Sequence, residues 1–440
     1  MAKRFIKHRP SQPRIVESEP PVAAVAGRLP ALPLTVPAAA DLVAVVLDKP
    51  TTHPNVFRKR IRHISGSPKR GEWVAVYHTQ DVPEPELFAY GLFNPKSEIA
   101  LRLLRWSQEV PDEPFWDELI DRAVALRRDV LRLDSVADCY RMIHAEADGF
   151  PGLVIDRYGD VLSAEVFSLA MGARAVAILE RLSAKLGTRH WLVQPSPQIT
   201  SQEGSAFAAW SSPELPAHVT VTEHGTRYRV HFGSGHKTGF FCDQRDNRLR
   251  VADLCGGKSV LDVCCYTGGF AVMAAKVGGA TDVTGIDLDE EPLQFAKQNA
   301  ALNDVRIKFT QADAFAYMRD MLRSGRQYDM VVLDPPKLIR SRAEIEEGTK
   351  KHFDLNRLAM QLVRPGGMML SCTCAGLLPE EEFIRLVRSA ARSSTRSAEN
   401  PHALPRSMQI LARSGAAPCH PVSGNCPEAE YLKAIWLRLL

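Results

Sequence analysis

The run Asp334-Pro335-Pro336-Lys337 closes one apolar stretch, "YDMVVLDPPK", and Cys372 and Cys374 close the next, "GGMMLSCTC". Together they hold the ingredients for methylating carbon 5 of a cytosine. That carbon is a poor nucleophile until a thiolate adds to carbon 6 and turns the ring into an enamine. The enamine attacks an electrophilic methyl from carbon 5, and loss of the carbon-5 proton then expels the thiolate. A diproline after a strand fixes φ and removes backbone donors, leaving a rigid ledge of the kind that holds a flipped-out base. On strand periodicity Met368, Leu370, Cys372 and Cys374 share one face. Cys372 is then a small buried group beneath the site, and Cys374 the more exposed thiol near Ala375 and Gly376. Two core cysteines are the plainer reading, since buried free cysteine is common. The residues alone leave both open.

A methyl donor needs a site of its own, and from about residue 216 the chain alternates strand and helix. "KSVLDVCCY", "DVTGIDLD", "IKFTQAD", "YDMVVLDPP" and "GGMMLSCTC" read as buried strands. "GGFAVMAAKVG", "EPLQFAKQNAALN", "AFAYMRDMLRSG" and a segment near 350–363 read as the helices between them. This predicts an α/β domain with a doubly wound parallel sheet and ligands at the carboxyl ends of its strands. After the first strand, Cys265-Tyr266-Thr267-Gly268-Gly269-Phe270 lets the backbone approach a ligand at a helix N-terminus. Neither a G-x-G-x-x-G pyrophosphate fingerprint nor a Walker loop is present. Asp287, followed by Leu288, ends the second strand, where a carboxylate accepts hydrogen bonds from ribose hydroxyls. Asp313, followed by Ala314, ends the third, where it meets an adenine edge. Either Asp by itself reads more readily as a helix N-cap. In this order, at successive strand ends, they outline a site for S-adenosylmethionine, with Asp334 and Pro335 beside the transferable methyl.

Upstream, 440 residues are too many for one ordinary core, so two or three domains are expected. Residues 1–40, rich in Pro and Ala, read as a disordered tail. Residues 41–110 carry short β-like runs ("DLVAVVLD", "EWVAVYH", "LFAYGLF", "EIALRLLRW") and read as a small β-rich module. Between two of these runs, "HPNVFRKRIRHISGSPKRG" holds Arg58, Lys59, Arg60 and Arg62 with no acidic residue. Such a patch neutralises phosphates, although a solvated basic loop looks the same in sequence. Residues 111–215 read as an α+β unit with a hairpin turning near Tyr158-Gly159-Asp160, and 216–440 as the doubly wound domain. The formal charge of +4 does not by itself demand nucleic acid. Nine cysteines in a long chain, with no signal peptide, fit a reducing cytoplasm better than a disulfide framework. Cysteine and histidine spacings give little support for a metal, and no apolar run reaches membrane-spanning length.

Several longer motifs are specific. "HPNVF", "AEADGFPGLVIDRYGD", "EHGTRYRVHFGSGHKTGFFCDQRDNR", "YTGGFA", "LDPPKL", "CAGLLPEEEF" and "HPV…PEAEYLK" closely resemble those of the ribosomal RNA large subunit methyltransferase I family over residues 41–440. That resemblance implies an N-terminal PUA domain, a middle α+β domain and a Rossmann-like class I methyltransferase domain. It implies cytosine-C5 methylation of 23S-type ribosomal RNA from S-adenosylmethionine, with Cys374 as nucleophile. Carried onto this chain, Lys237, Thr238, Gly239, Phe240, Asp243, Gln244 and Arg245 form a lip over the methionine part of the cofactor. Gln244 would bond its amino-acid group and Arg245 its carboxylate, while Asp334 holds the cytosine edge and Lys337 lowers the thiolate pKa or meets RNA phosphate. Asn55 departs from the family, which has an aromatic after His-Pro. Two other readings stay in view: a guanine-N2 methyltransferase, which uses a similar ledge without Cys374, and a catalytically silent RNA-binding assembly protein. The oligomeric state, a homodimer included, is not encoded in these motifs.

Overall fold

The computed structural model describes residues 27–36, 41–232, 239–395 and 404–440. Among these, the first sheet has six strands, β1 (Val43–Leu47), β2 (Asn55–Val56), β3 (Ile61–Ile64), β4 (Trp73–His78), β5 (Glu86–Phe93) and β6 (Leu101–Arg105), in the order β2-β6-β5-β4-β1-β3. The four runs expected as strands are β1, β4, β5 and β6; the basic segment contributes the two short ones at opposite edges. Helix α1 (Glu113–Ala125) starts at Asp112, whose carboxylate accepts from Phe115 N, and buries Trp116, Leu119, Ile120 and Ala123.

The middle sheet comprises β7 (Cys139–His144), β8 (Leu153–Tyr158), β9 (Val161–Val166), β10 (His190–Pro195) and β11 (Trp210–Ser211). Short helix α2 (Leu169–Gly172) and α3 (Ala175–Leu186) carry the crossover between parallel β9 and β10, and α4 (Ile199–Glu203) follows. This unit and the first sheet do not have wholly separate interiors. Trp73, Tyr90 and Leu104 pack in one cluster with Trp116, Tyr140 and Ile155.

Residues 27–36 correct the expectation of a disordered tail to residue 40. Leu34 is buried, its carbonyl accepts from Trp116 Nε1 at 3.0 Å, and Pro33 O accepts from Arg174 Nε at 2.9 Å. An apolar Pro-rich strip that covers tryptophan and caps buried donors gains enough to be held. Residues 1–26 and 37–40 lie outside the described residues.

The hairpin β12 (His218–Glu223) and β13 (Thr226–His231) forms a two-stranded sheet of its own, not part of the doubly wound one. After α5 (Arg245–Leu254) come β14 (Ser259–Val263), α6 (Gly269–Lys276), β15 (Asp282–Asp287), α7 (Glu290–Leu302), β16 (Lys308–Gln311), α8 (Ala314–Arg323), β17 (Tyr328–Leu333), α9 (Ile345–Leu362) and β18 (Val363–Thr373). Helix α10 (Glu380–Ser393) leads to β19 (Met408–Ser414) and β20 (Lys433–Leu439). The seven-stranded order is β16-β15-β14-β17-β18-β20-β19, parallel through β18 and antiparallel at β20 and β19. Val260, Leu261 and Val263 are all buried, as a strand covered on both faces requires. From β14 the chain runs to β15 on one side and later to β17 on the other, so the crevice opens between the ends of β14 and β17. Strand β20 inserts beside β18 with Cys372 opposite Ala434 and Thr373 opposite Lys433.

Candidate active site

The loop after β14 is tightly built. Cys264 and Tyr266 adopt positive φ (64° and 50°), and Gly268 follows at 77°, capping α6. Side-chain-bearing residues take that conformation at a cost of roughly 1–3 kcal/mol each, which surrounding bonds must offset. They do: Cys265 N donates to Ile286 O at 2.9 Å, Tyr266 N to Asp287 Oδ2 at 2.8 Å, and Asn299 Nδ2 to Thr267 O at 3.0 Å. A Cβ on Gly285 would stand 2.8 Å from the Phe309 ring and 3.1 Å from Cys265 Sγ, so only glycine lets β15 come this close. Cys265 and Phe270 turn into the core, leaving their backbone to the loop.

Asp287 also accepts from Asp289 N at 3.1 Å, which fixes its carboxylate at the end of β15. Leu288 beside it is 63% exposed, an apolar side chain open to a ligand's flat face. Asp313 does cap a helix, accepting from Ala316 N at 2.9 Å with Ala314 as the first helical residue. Cap and adenine contact are compatible, since a carboxylate has four acceptor positions.

The lip departs most from expectation. Lys237 and Thr238 lie outside the described residues. Gly239 has φ 126° and no room for a Cβ against Val230; Phe240 is buried against Tyr228, with Tyr158 Oη donating to its carbonyl at 2.9 Å. Gln244, expected to bond the cofactor, donates through Nε2 to Asp334 Oδ2 at 3.0 Å and accepts from Asn247 Nδ2 at 2.7 Å. Arg245, expected to pair with the cofactor's carboxylate, is buried and turned to Asp246 at 3.0 Å and Cys419 Sγ at 3.3 Å. Two of the five donors of this enclosed guanidinium are engaged by these partners. Asp243 anchors the lip to the C-terminal segment: Tyr431 Oη donates to its Oδ2 at 2.5 Å, and Ala417 N to its carbonyl at 2.7 Å. Beneath lies a fully buried bidentate pair, Arg248 Nε and Nη2 on Glu223 at 2.7 and 2.6 Å.

On the other side of the crevice Pro335 is buried, while Pro336 and Lys337 are exposed. Cys372 is fully buried and burial holds its thiol well above the ordinary range. Cys374, one residue beyond the end of β18, is half-buried. Its neighbour Ala375 is pinned on both backbone groups. Ala375 N donates to Thr373 Oγ1 at 3.3 Å, and Ala375 O accepts from Leu378 N at 3.1 Å and Lys433 Nζ at 3.1 Å. Thr373 Oγ1 in turn meets buried His352 Nε2 at 3.1 Å. The structure thus brings Gln244, Asp334, Cys372, Cys374 and Lys433 together, and leaves Lys337 in solvent.

Residues 180–406 match the family model of S-adenosylmethionine-dependent methyltransferases, and residues 51–106 that of PUA-like domains. A ribosomal RNA large subunit methyltransferase I from Photobacterium profundum is 34% identical over 388 residues, spanning 87% of this chain and 94% of the relative. One of the same name from Vibrio cholerae is 33% identical over 395 residues, 88% of this chain and 96% of its own. The chain belongs to the ribosomal RNA large subunit methyltransferase I family. A methyltransferase solved in complex with SAH superposes with a TM-score of 0.71 at 18% identity, over 88% of this chain and 96% of that one. A SAM-dependent methyltransferase from Streptococcus mutans does so with a TM-score of 0.71 at 17% identity, over 90% and 100%. At these identities the likeness is one of fold.

As a member of that family the protein takes S-adenosylmethionine, and the site's donors and acceptors fit that molecule. Two buried carboxylate oxygens, Asp243 Oδ1 and Asp262 Oδ1, have no hydrogen-bond partner among the described residues, and an amino-acid ammonium is what such oxygens accept. Asp262, next to the last residue of β14, has its pKa raised to about 8 by burial, against one hydrogen bond from Ala271 N. Sequence reasoning missed Asp262, Glu223, Asn247, Arg248, Tyr431 and Lys433. Glu223, Asn247, Arg248, Tyr431 and Lys433 stand inside quoted motifs, and a lone Asp in "SVLDV" was itself a signal.

The basic loop is partly committed to structure. Arg58 Nη2 donates to Pro95 O at 2.5 Å and Ser97 O at 2.8 Å, and Arg62 to Thr79 Oγ1 at 3.2 Å. Lys59 is exposed and Arg60 half-exposed. Nearby, His53, Cys426 and Glu428 bring potential ligand atoms within 4.8 Å of one another. His53 Nδ1 accepts from Asn55 N at 3.0 Å, so in the neutral ring Nε2 carries the proton and donates to Glu428 at 2.7 Å. A ring so engaged has no lone pair for a metal; the trio clasps the PUA-like module to the C-terminal segment. Among the described residues no helix is long and apolar enough to cross a membrane.

Proposed function

We propose that the protein methylates carbon 5 of a cytosine in large-subunit ribosomal RNA through a covalent adduct with Cys374. The observation that carries this is the half-buried Cys374 just past the end of β18, its loop pinned through Ala375, beside the parallel strand β17, which is followed by Asp334 and the buried Pro335. Cys374 packs against the same cluster as the fully buried Cys372, but past the strand end it stays partly exposed, as a reacting thiol must.

In this reading the Cys374 thiolate adds to carbon 6, carbon 5 becomes nucleophilic, and transfer of the carbon-5 proton to a base expels the thiolate. Asp334, oriented by Gln244, accepts a hydrogen bond from the cytosine edge, and the diproline ledge sets the plane of the ring. The bound cofactor supplies an electrophilic methyl on sulfur. Asp287 would hold its ribose, Asp313 and Leu288 its adenine, the Tyr266–Gly269 backbone its approach, and Asp243 and Asp262 its ammonium. The PUA-like module, with Lys59, Arg60 and Arg62, would meet RNA phosphate. The names of the curated relatives support ribosomal RNA as the substrate.

The test is methyl transfer from labelled S-adenosylmethionine to unmodified ribosomal RNA, with the product nucleoside identified by mass spectrometry. Wild type is expected to yield 5-methylcytidine, and Cys374→Ala none. Methylated guanine, or full activity in Cys374→Ala, would overturn the cytosine mechanism; RNA binding with no transfer would mark a silent assembly protein.

A further inference from the structure

The geometry points to Lys433 as the cation that holds Cys374 as a thiolate. This rests on the proposed nucleophilic role of Cys374 and adds the group that activates it. The antiparallel pairing of β18 with β20 sets Lys433 opposite Thr373, one residue before the thiol. Its ammonium reaches over the strand end and donates to Ala375 O at 3.1 Å, one residue beyond the thiol. Pairing sets the Lys433 side chain on the Thr373 face of the sheet, and its ammonium meets the loop at the strand end where Cys374 stands.

The environment of that ammonium is unusual. Lys433 is only 8% exposed, and among the described residues no carboxylate lies within ion-pair distance of it. A buried ammonium with a carbonyl for partner is costly unless an anion forms nearby. Glu430 on the approach to β20, Glu380 at the start of α10, Lys337 beyond β17 and Cys374 itself are the titratable groups whose charge it feels. Burial lowers its pKa; Glu430, Cys374 and Glu380 oppose that, and Lys337 adds to it. On the thiol's side, Cys372 near the end of β18 feels the charges of both Cys374 and Asp334, the residue that follows β17.

Lys337, the residue sequence reasoning assigned to this task, is exposed. Its field reaches the thiol through water, where a unit charge is worth several-fold less than in the interior. Lys433 acts from inside the low-dielectric wall. As a donor on the Ala375 carbonyl it could be a mere loop anchor, so the test must separate charge from hydrogen bond.

The full-length protein, without RNA or cofactor, is alkylated with iodoacetamide across a pH series, and modification of the Cys374 peptide is followed by mass spectrometry. Wild-type Cys374 is expected to titrate at least about one pH unit below the ordinary thiol value of ~8.5. Lys433→Gln keeps a donor for Ala375 O but not the charge, and is expected to return the midpoint to the ordinary value or above. Lys433→Arg is expected to stay near wild type, and Lys337→Met to change it little. An ordinary midpoint in wild type overturns the proposal without any variant. So does an unshifted midpoint in Lys433→Gln, or a shift in Lys337→Met equal to that in Lys433→Gln. Formation of 5-methylcytidine by the same wild-type preparation reports separately on the underlying reading: if it forms while the thiol titrates normally, only the role of Lys433 falls.

Discussion

Gln244→Ala is the substitution on which the architecture of the site can be tested most sharply. The Gln244 amide bridges two partners, donating to Asp334 at 3.0 Å and accepting from Asn247 at 2.7 Å. A hydrogen bond to a charged acceptor contributes about 1.5–3 kcal/mol. If Asp334 must be oriented to receive the cytosine, losing that bond lowers turnover by roughly 10- to 150-fold, at 1.36 kcal/mol per decade. Asn247 Nδ2 keeps a second acceptor, Gly415 O at 3.2 Å, so the fold should survive. The assay pairs kcat, measured at saturating cofactor and RNA, with the Kd of S-adenosylhomocysteine measured calorimetrically on the same preparation. The expected outcome is a kcat reduced within that range and a Kd changed less than threefold. A Kd weakened 10-fold or more, with kcat intact, would mean that Gln244 holds the cofactor's amino-acid group as sequence reasoning had it, and would refute the reasoning from Asp334.

Glu223→Gln should destabilise the protein by about 3–5 kcal/mol in denaturant unfolding, because it leaves the buried Arg248 without its counter-charge. Replacing both Glu223 and Arg248 by Met should cost less than the single change. The raised pKa of Asp262 gives a sign to the pH dependence of the ligand-free protein. Its proton is held to about pH 8 when folded and released near pH 4 when unfolded. The native state therefore binds the extra proton between those values, and that contribution to stability is lost as pH rises from about 4 to 8. Thermal unfolding should show this decline, and Asp262→Asn should flatten it; an unchanged slope would place the titrating group elsewhere. In the basic loop, Lys59→Ala and Arg62→Ala together should reduce the slope of log K against log salt for RNA binding by up to about 2. Arg58→Ala should instead lower stability, because its guanidinium ties the loop to Pro95 and Ser97.

Local pattern determined much of this protein. The apolar runs of β14, β15, β17 and β18 and the amphipathic segments between them are short-range features, and their ends put Gly268, Asp287, Asp334 and Cys374 at one edge of one sheet whatever else the chain does. The difference between Cys372 and Cys374 was legible as well: strand alternation put both on one face, and only the second stands past the strand end. Tertiary structure alone decided what those residues touch. Gln244 meets Asp334 across 90 positions, and Lys433 reaches Ala375 across 58. No periodicity encodes such pairings, because they follow from which strands neighbour one another and in what register. Strand β20 runs antiparallel between β18 and β19, and a register displaced by one residue would turn Lys433 to the opposite face of the sheet. The same holds for Arg245 and residues 27–36. A guanidinium takes whichever acceptors folding brings near, and an apolar strip is ordered only when a surface exists to cover it.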